Sequence, residues 1–294
     1  MAERMKAQVF YQAEKMLLEE IPVPPVTETD VLVKVKNVGI CGSDISYYYG
    51  LSPLGTPTGK GPLVLGHEFT GEIVKIGRVP KQLGLFAQGD RVVVNPVQNC
   101  NACYACAGGQ THLCENINVP GVSTNGAFAE YCLSKYTGLF KLPDNVSYAA
   151  GAFTEPLACV VYGMKKLDVE PGQFVAIFGP GPMGQMMVQM ARSIGAGKIA
   201  LIGTRDYRLQ MGKKLGADYI FNTSHKHSKH YVENLKEAIS QITGSKIPGQ
   251  LFQIVSRCPL CPINRNELFL SQSWTADQGK ASNQGYTQDN GCRP

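Results

Sequence analysis

The sequence predicts an α/β plus β protein: a β-rich, barrel-like first domain followed by a partial parallel α/β domain. Three observations carry this. Short runs of alternating apolar and polar residues, broken by Gly and Pro, fill the first half. A continuous apolar run, Phe174-Val175-Ala176-Ile177-Phe178, ends in glycines and leads into a segment of helical spacing. The texture changes from the first pattern to the second after about Leu157.

In chain order, Val31 to Val38 alternates with the period of a half-buried strand, and Gly71 to Ile76 and Arg91 to Val94 read similarly. Pro22, Pro24, Pro25, Gly39, Gly50, Pro53, Gly66, Gly77 and Gly89 punctuate these strands, which suits many short strands in a compact barrel-like domain. After the apolar run, Met183 to Ile194 has helical spacing and Lys198 to Ile202 reads as a second buried strand, completing a βαβ unit. Arg208 to Leu215 reads as a helix ended by Gly216, and Asp218 to Phe221 as a third strand. Gln250 to Val255 imitates a further strand. The expected domains are residues 1–156 and 157–256, followed by a tail, 257–294, whose Gln/Asn/Gly-rich composition predicts poor order.

A chain of 294 residues with 44% hydrophobic content can fill about two cores. Its net charge of +5 arises from scattered residues, which argues against nucleic acid or membrane as a partner. No apolar stretch resembles a signal peptide or a span, so a cytoplasmic location is the expectation. Four of the ten cysteines fall between Cys100 and Cys114 with short gaps, a pattern of metal ligation rather than disulfides.

Those four, Cys100, Cys103, Cys106 and Cys114, form C-x2-C-x2-C-x7-C. Four thiolates on one loop can enclose zinc tetrahedrally with no open position, the mark of a structural site. An iron-sulfur cluster, a nucleic-acid zinc module and unliganded cysteines are alternatives, but no Pro follows the fourth Cys and no Lys or Arg lies between the cysteines. Cys41-Gly42-Ser43-Asp44 and Gly66-His67-Glu68 offer mixed ligands suited to an open zinc. Taken singly, Cys41 reads as a small buried group, His67 as a core histidine and Glu68 as a surface charge.

Gly179-Pro180-Gly181-Pro182-Met183-Gly184 fits G-x-G-x-x-G between a predicted strand and a predicted helix, the context that makes it a dinucleotide turn. Gly179 allows the tight turn, Gly181 the approach of a pyrophosphate, and Gly184 close packing of helix on sheet. At the end of the next strand an acidic residue would bind a ribose 2′-hydroxyl, whereas Gly203-Thr204-Arg205, with Arg208 following, suits a 2′-phosphate. NADP is therefore favoured. NAD returns as the choice if Asp206 occupies the strand end.

Together with Gly89-Asp90-Arg91-Val92, Gly126-Ala127-Phe128-Ala129-Glu130-Tyr131 and Glu155-Pro156-Leu157, these motifs resemble, in order, the zinc-containing medium-chain alcohol dehydrogenase family, from about Lys6 to Gly244. Glutamate at Glu155 resembles the sorbitol, threonine and sugar-alcohol dehydrogenase branch. The resemblance implies a GroES-like β-barrel catalytic domain and a partial Rossmann domain. It implies catalytic zinc on Cys41 and His67 with Glu155 and Glu68 as alternative carboxylate ligands, and a structural zinc on the four-cysteine loop. Ser43 matches the hydroxyl that relays the alcohol proton, Asp44 a supporting residue. The implied substrate is a small secondary alcohol or polyol; family members of this type associate through the cofactor domain, which leaves a homo-oligomer open.

Other clusters suggest little. His225, His227 and His230 with Lys226 and Lys229 read as a solvated basic loop, and Cys132, Cys159, Cys258, Cys261 and Cys292 have no coherent spacing. Cys258 onward resembles no part of the family and reads as a shifted frame or aberrant splice. Loss of later strands would leave an unpaired sheet edge and a non-catalytic zinc-binding fragment as the competing reading.

Overall fold

Asp30–Gly39 (β3) is the strand on which the first part of the molecule is built. In the computed structural model, which describes residues 3–52, 62–224, 226–243, 251–255 and 271–272, its first four residues are buried and it pairs on both sides. The chain divides into two compact units, Met1–Pro156 and Leu157–Pro294.

The first unit opens with an antiparallel pair, Arg4–Gln12 (β1) and Lys15–Pro22 (β2), before β3. Helix Gly42–Tyr48 (α1), strands Leu63–Val64 (β4) and Glu68–Ile76 (β5), and helix Arg78–Gln82 (α2) follow. Strand Arg91–Val94 (β6), helix Tyr104–Ala107 (α3), strands Tyr131–Lys135 (β7) and Leu139–Lys141 (β8), and helix Tyr148–Ala152 (α4) complete it. The strands form two sheets, ordered β2-β1-β4 and β7-β3-β5-β6-β8. This is the barrel-like, GroES-type arrangement the sequence indicates, and the described strands do not close into one continuous ring. Residues 128–130 cross between the sheets instead: Gln8 N donates to Phe128 O at 2.7 Å, Glu130 N to Lys6 O at 3.0 Å and Val35 N to Glu130 O at 2.9 Å.

The period-two pattern of the sequence explains the core. Val31 and Val33 of β3 point inward with Phe69 and Ile73 of β5, Val92 and Val94 of β6, and Cys132 and Leu139. β5 begins three residues earlier than its alternation indicates, because His67 and Glu68 interrupt the apolar pattern where the strand passes the candidate site.

Helix Thr154–Leu167 (α5) leads into the second unit, built from strand Phe174–Phe178 (β9), helix Pro182–Ser193 (α6), strand Lys198–Gly203 (β10), helix Asp206–Lys214 (α7), strand Tyr219–Asn222 (β11) and helix Leu235–Thr243 (α8). Two more strands, Leu251–Val255 (β12) and Ser271–Gln272 (β13), complete the sheet order β11-β10-β9-β12-β13. β9 to β12 run parallel, and the order reverses beside β9, the switch point beyond which dinucleotides bind in such sheets. The continuous apolar runs are explained by cover on both faces: Val175, Ile177, Ile199 and Leu201 meet α5, α6 and α7 residues, while Ala176, Ala200 and Ile202 meet the other side with Leu235.

The imitated strand is a real one, since β12 pairs with β9 from Phe252↔Val175 to Val255↔Phe178. On that side of β9 the sheet therefore continues into β12. The predicted disorder of the tail falls outside the described residues except at β13, which pairs antiparallel with β12. Among the described residues no helix is long and apolar enough to cross a membrane.

Leu201 is fully buried in the second unit's core. Leu201→Ala is expected to cost about 2–5 kcal/mol, read as a lower denaturant midpoint by circular dichroism; an unchanged midpoint would refute this packing.

Candidate functional site

Cys41 caps α1 just beyond β3, His67 precedes β5, and Glu68 is the first residue of β5. Far apart in sequence, they present a sulfur, an imidazole nitrogen and a carboxylate oxygen that all lie within 4.8 Å of one another. Strand pairing brings them together, because the β3–β5 register sets Gly39 opposite Glu68. A Cβ at Gly39 would stand 2.3 Å from Glu68 Oε2, so the absence of a side chain there makes room for the carboxylate. The sequence pattern could not reveal this role of Gly39, which depends on register across two irregularities in the ladder.

Asp44, 4% exposed, ties the two ligand-bearing segments together. Its carboxylate accepts from Cys41 N at 2.9 Å and from Gly66 N at 3.3 Å, and it lies 3.6 Å from His67 Nδ1. Burial pushes the Asp44 carboxyl above its usual range, against the opposing pull of His67 and the two amides. At His67 burial disfavours the charged ring, yet the hydrogen bond with Cys41 and the charges of Asp44, Cys41 and Glu155 outweigh it and carry the pKa to about 9. The pocket thus holds a negative potential that favours a cation. His67 Nδ1 is buried with no hydrogen-bond partner among the described residues, and the thiolate, imidazole and carboxylate donors together suit zinc. Ser43, half-buried, is the second residue of α1.

Glu155 stands in the first turn of α5, placed there by α4, which docks on β5: Thr70 Oγ1 donates to Tyr148 O at 2.8 Å. Burial raises its carboxyl first, His67 opposes, and Glu68 and Asp44 add to the rise. Glu155 therefore senses the cluster electrostatically. It does not belong to the set whose atoms all lie within 4.8 Å.

Cys100, Cys103, Cys106 and Cys114 bring their sulfurs within the same 4.8 Å limit, with Cys100 and Cys106 4.0 Å apart. Zinc–sulfur bonds of about 2.3 Å in a tetrahedron place sulfurs roughly 3.8 Å apart, so the loop fits the ion as it stands. Backbone amides of Ala102 and Cys103 donate to Cys100 Sγ and draw its pKa to about 6. Gln98, which the sequence did not signal, staples the loop to β7. Its side chain accepts from Asn118 Nδ2 at 2.9 Å and Lys135 N at 3.0 Å and donates to Ser134 Oγ at 2.6 Å.

In the second unit, Gly179 has φ +99° and a Cβ at Gly184 would stand 1.9 Å from Gly179 O. Gly181 caps α6 and leaves open space where a Cβ would project, with Pro182 and Met183 opening the helix. Gln185, also missed, links this turn to α7: Nε2 donates to Pro180 O at 3.0 Å and to Arg208 O at 2.8 Å. β10 ends at Gly203, whose Cβ would meet Pro180 at 2.3 Å, so this glycine serves close packing on the turn. Thr204 and Arg205 are exposed, and Arg205 caps α7. Asp206 lies inside the helix, beyond the strand end, and accepts from Asn222 Nδ2 at 2.8 Å and Ser228 Oγ at 2.7 Å. Hydrogen bonds from Arg205 and then Arg208 hold the phenol of Tyr207 below its usual range.

Lys226, His227 and Lys229 are exposed, while His230 pairs with Gln210 at 2.6 Å. Cys132 is core, its thiol pushed up to about 12 by burial, and Cys159 is exposed. His225, Cys258, Cys261 and Cys292 lie outside the described residues.

A parallel sheet whose first strand runs into a glycine turn places the second unit among dinucleotide-binding folds. The sulfur-bearing clusters of the first unit narrow the class to its metal-binding members. Residues 27–144 match the alcohol dehydrogenase GroES-like domain and residues 182–255 the zinc-binding dehydrogenase domain. The chain is 37% identical over 221 residues to sorbitol dehydrogenase of Bacillus subtilis, covering 75% of this chain and 62% of that one. It is 33% identical over 239 residues to L-threonine 3-dehydrogenase of Escherichia coli, covering 81% and 67%. A zinc-binding dehydrogenase structure from Sinorhizobium meliloti bound to NADP superposes with a TM-score of 0.68 at 32% identity, over 75% of this chain and 62% of that one. The chain belongs to the zinc-containing medium-chain alcohol dehydrogenase family, on its sorbitol and threonine dehydrogenase-like side.

Gly184→Ala forces a methyl group into Gly179 O. It is expected to destabilise the chain by about 1–3 kcal/mol, measured by thermal unfolding; an unchanged transition would contradict the close approach of α6 to the turn.

Proposed function

We propose that the chain is a zinc-dependent oxidoreductase that transfers hydride between a small secondary alcohol or polyol, or its ketone, and a nicotinamide dinucleotide. The convergence of Cys41, His67 and Glu68 within 4.8 Å carries this reading. In it, Cys41, His67 and Glu68 hold one zinc, with Glu155 as the alternative carboxylate, and Cys100, Cys103, Cys106 and Cys114 hold a second. Bound zinc supplies a Lewis acid that makes a substrate hydroxyl easier to deprotonate, and the nicotinamide supplies the hydride acceptor.

The chain's own groups do the rest. Asp44 holds Cys41 and His67 in register through the amides of Cys41 and Gly66, fixing the ligands before substrate arrives. Ser43 Oγ takes the hydroxyl proton and passes it toward solvent. Gly179, Gly181, Pro182, Met183 and Gly184 receive the pyrophosphate at the start of α6. Arg205 and Arg208 favour the 2′-phosphate of NADP over the bare ribose of NAD, and the engagement of Asp206 with Asn222 and Ser228 supports that preference. The substrates in the names of two relatives, sorbitol and L-threonine, are small hydroxylated molecules, which supports the substrate class.

The competing reading is a zinc-binding fragment without catalysis; the chain spans 62% of the length of its sorbitol dehydrogenase relative. Metal analysis and NADPH or NADH oxidation with a panel of ketoses, and the reverse reaction with polyols, separate the two. Two zincs per chain with turnover are expected; one zinc with no cofactor binding would leave only the fragment.

Cys41→Ala is expected to abolish turnover and remove one zinc while the four-cysteine loop keeps its own. Gly39→Ala, which crowds Glu68 Oε2, is expected to lower zinc content toward one per chain at limiting metal. Full retention would remove Glu68 from the ligand set.

A further inference from the structure

The start of α7 carries charges of the wrong sign for its position. A helix N-terminus presents free N–H groups and the positive end of the helix dipole, so carboxylates are favoured there and cations are not. Here the cap is Arg205 and the third helical residue is Arg208. Side chains at the cap and at the third position share one corner of a helix, the geometry that lets a capping box close. Asp206, the group that would neutralise this corner, is turned to Asn222 and Ser228.

Both guanidiniums converge on Tyr207. Arg208 Nε donates to its phenol oxygen at 2.8 Å, and Arg205 hydrogen-bonds the same side chain. Tyr207 is 65% exposed and offers a phenol oxygen rather than a carboxylate to the two cations. Among the described residues neither arginine is ion-paired with a carboxylate. Two cations, a helix N-terminus and a hydroxyl on one corner form an arrangement that a dianion completes. A phosphate monoester brings a charge of about −1.5 to −2 and three acceptor oxygens.

We infer that Tyr207 is a positioning residue, whose phenol oxygen holds Arg205 and Arg208 together as a two-guanidinium seat for the 2′-phosphate of an adenosine ribose. The inference rests on the cofactor reading above and extends it: selectivity depends on the shared oxygen as well as on the arginines. Without that oxygen the guanidiniums repel one another and spread into solvent, and gathering them on binding costs side-chain entropy.

Calorimetric titration of the full chain with adenosine 2′,5′-bisphosphate and with adenosine 5′-monophosphate tests this without requiring turnover. The wild-type chain is expected to prefer the bisphosphate. Tyr207→Phe, which keeps the ring and removes the oxygen, should weaken bisphosphate binding about tenfold and leave the monophosphate unchanged. Arg208→Gln, which removes the cationic donor, should give the same selective loss. Wild-type-like bisphosphate affinity in Tyr207→Phe, or equal weakening of both probes, overturns the inference while the NADP preference stands. A wild-type chain that does not distinguish the probes overturns the preference itself, and the positioning role with it.

Discussion

The hydrogen bonds from the amides of Cys41 and Gly66 to the Asp44 carboxylate are the constraint on which the candidate metal centre depends. Cys41 and Gly66 sit on separate loops, and the Asp44 carboxylate is the side chain that joins one to the other. A buried carboxylate serves well, because its two oxygens accept from different segments and burial makes each bond costly to break. The same group faces His67 from 3.6 Å, so backbone position and ring environment are set by one side chain. Glu68 then follows from sheet register, and Gly39 leaves it space. The first unit thus places its sulfur, nitrogen and oxygen donors by backbone architecture more than by side-chain packing.

In the second unit the corresponding anchor is Gln185. One amide nitrogen spans Pro180 O in the glycine turn and Arg208 O at the start of α7. Gly203 packs against Pro180, and Gly184 against Gly179, so strand, turn and both helices approach one another where side chains would intervene. The corner that carries Arg205 and Arg208 is therefore fixed relative to the turn, while the helix itself is electrostatically frustrated there. Frustration confined to one corner of an otherwise consistent fold is the pattern expected where a ligand supplies the missing charge.

Much of this was legible in the sequence, for local reasons. The four cysteines are close in sequence, so their spacing carried the geometry, and β6 and β9 keep the bounds their apolar patterns indicate. Cys41, His67 and Glu68 meet only through strand pairing; their residue types alone left the plain readings open, and resemblance to a family grouped them. Glu155 was grouped with them in the same way, and its placement near the cluster but outside the tightest set is visible only in three dimensions. Whether Asp206 ended the strand was undecidable by counting, because strand and helix ends shift by a residue or two with their caps. Gln98 and Gln185 carried no signal and Gly39 only that of a strand end, since their roles consist of contacts made across register, loop and turn.

The glycine stacking beneath His67 has a different consequence. Gly66 has φ +90°, its carbonyl accepts from Ala127 N at 2.8 Å, and Cβ atoms at Gly121 or Gly126 would fall within 2.6 and 2.2 Å of that oxygen. Main chain lies directly on main chain at this point, with no rotamers between. The seat of the imidazole is therefore set on this side by backbone against backbone, with the Phe128 ring closing over Gly66. The turn between the two glycines reinforces the same seat from its own side chains, since Asn125 Oδ1 accepts from Val64 N at 3.0 Å just ahead of the segment that carries the imidazole.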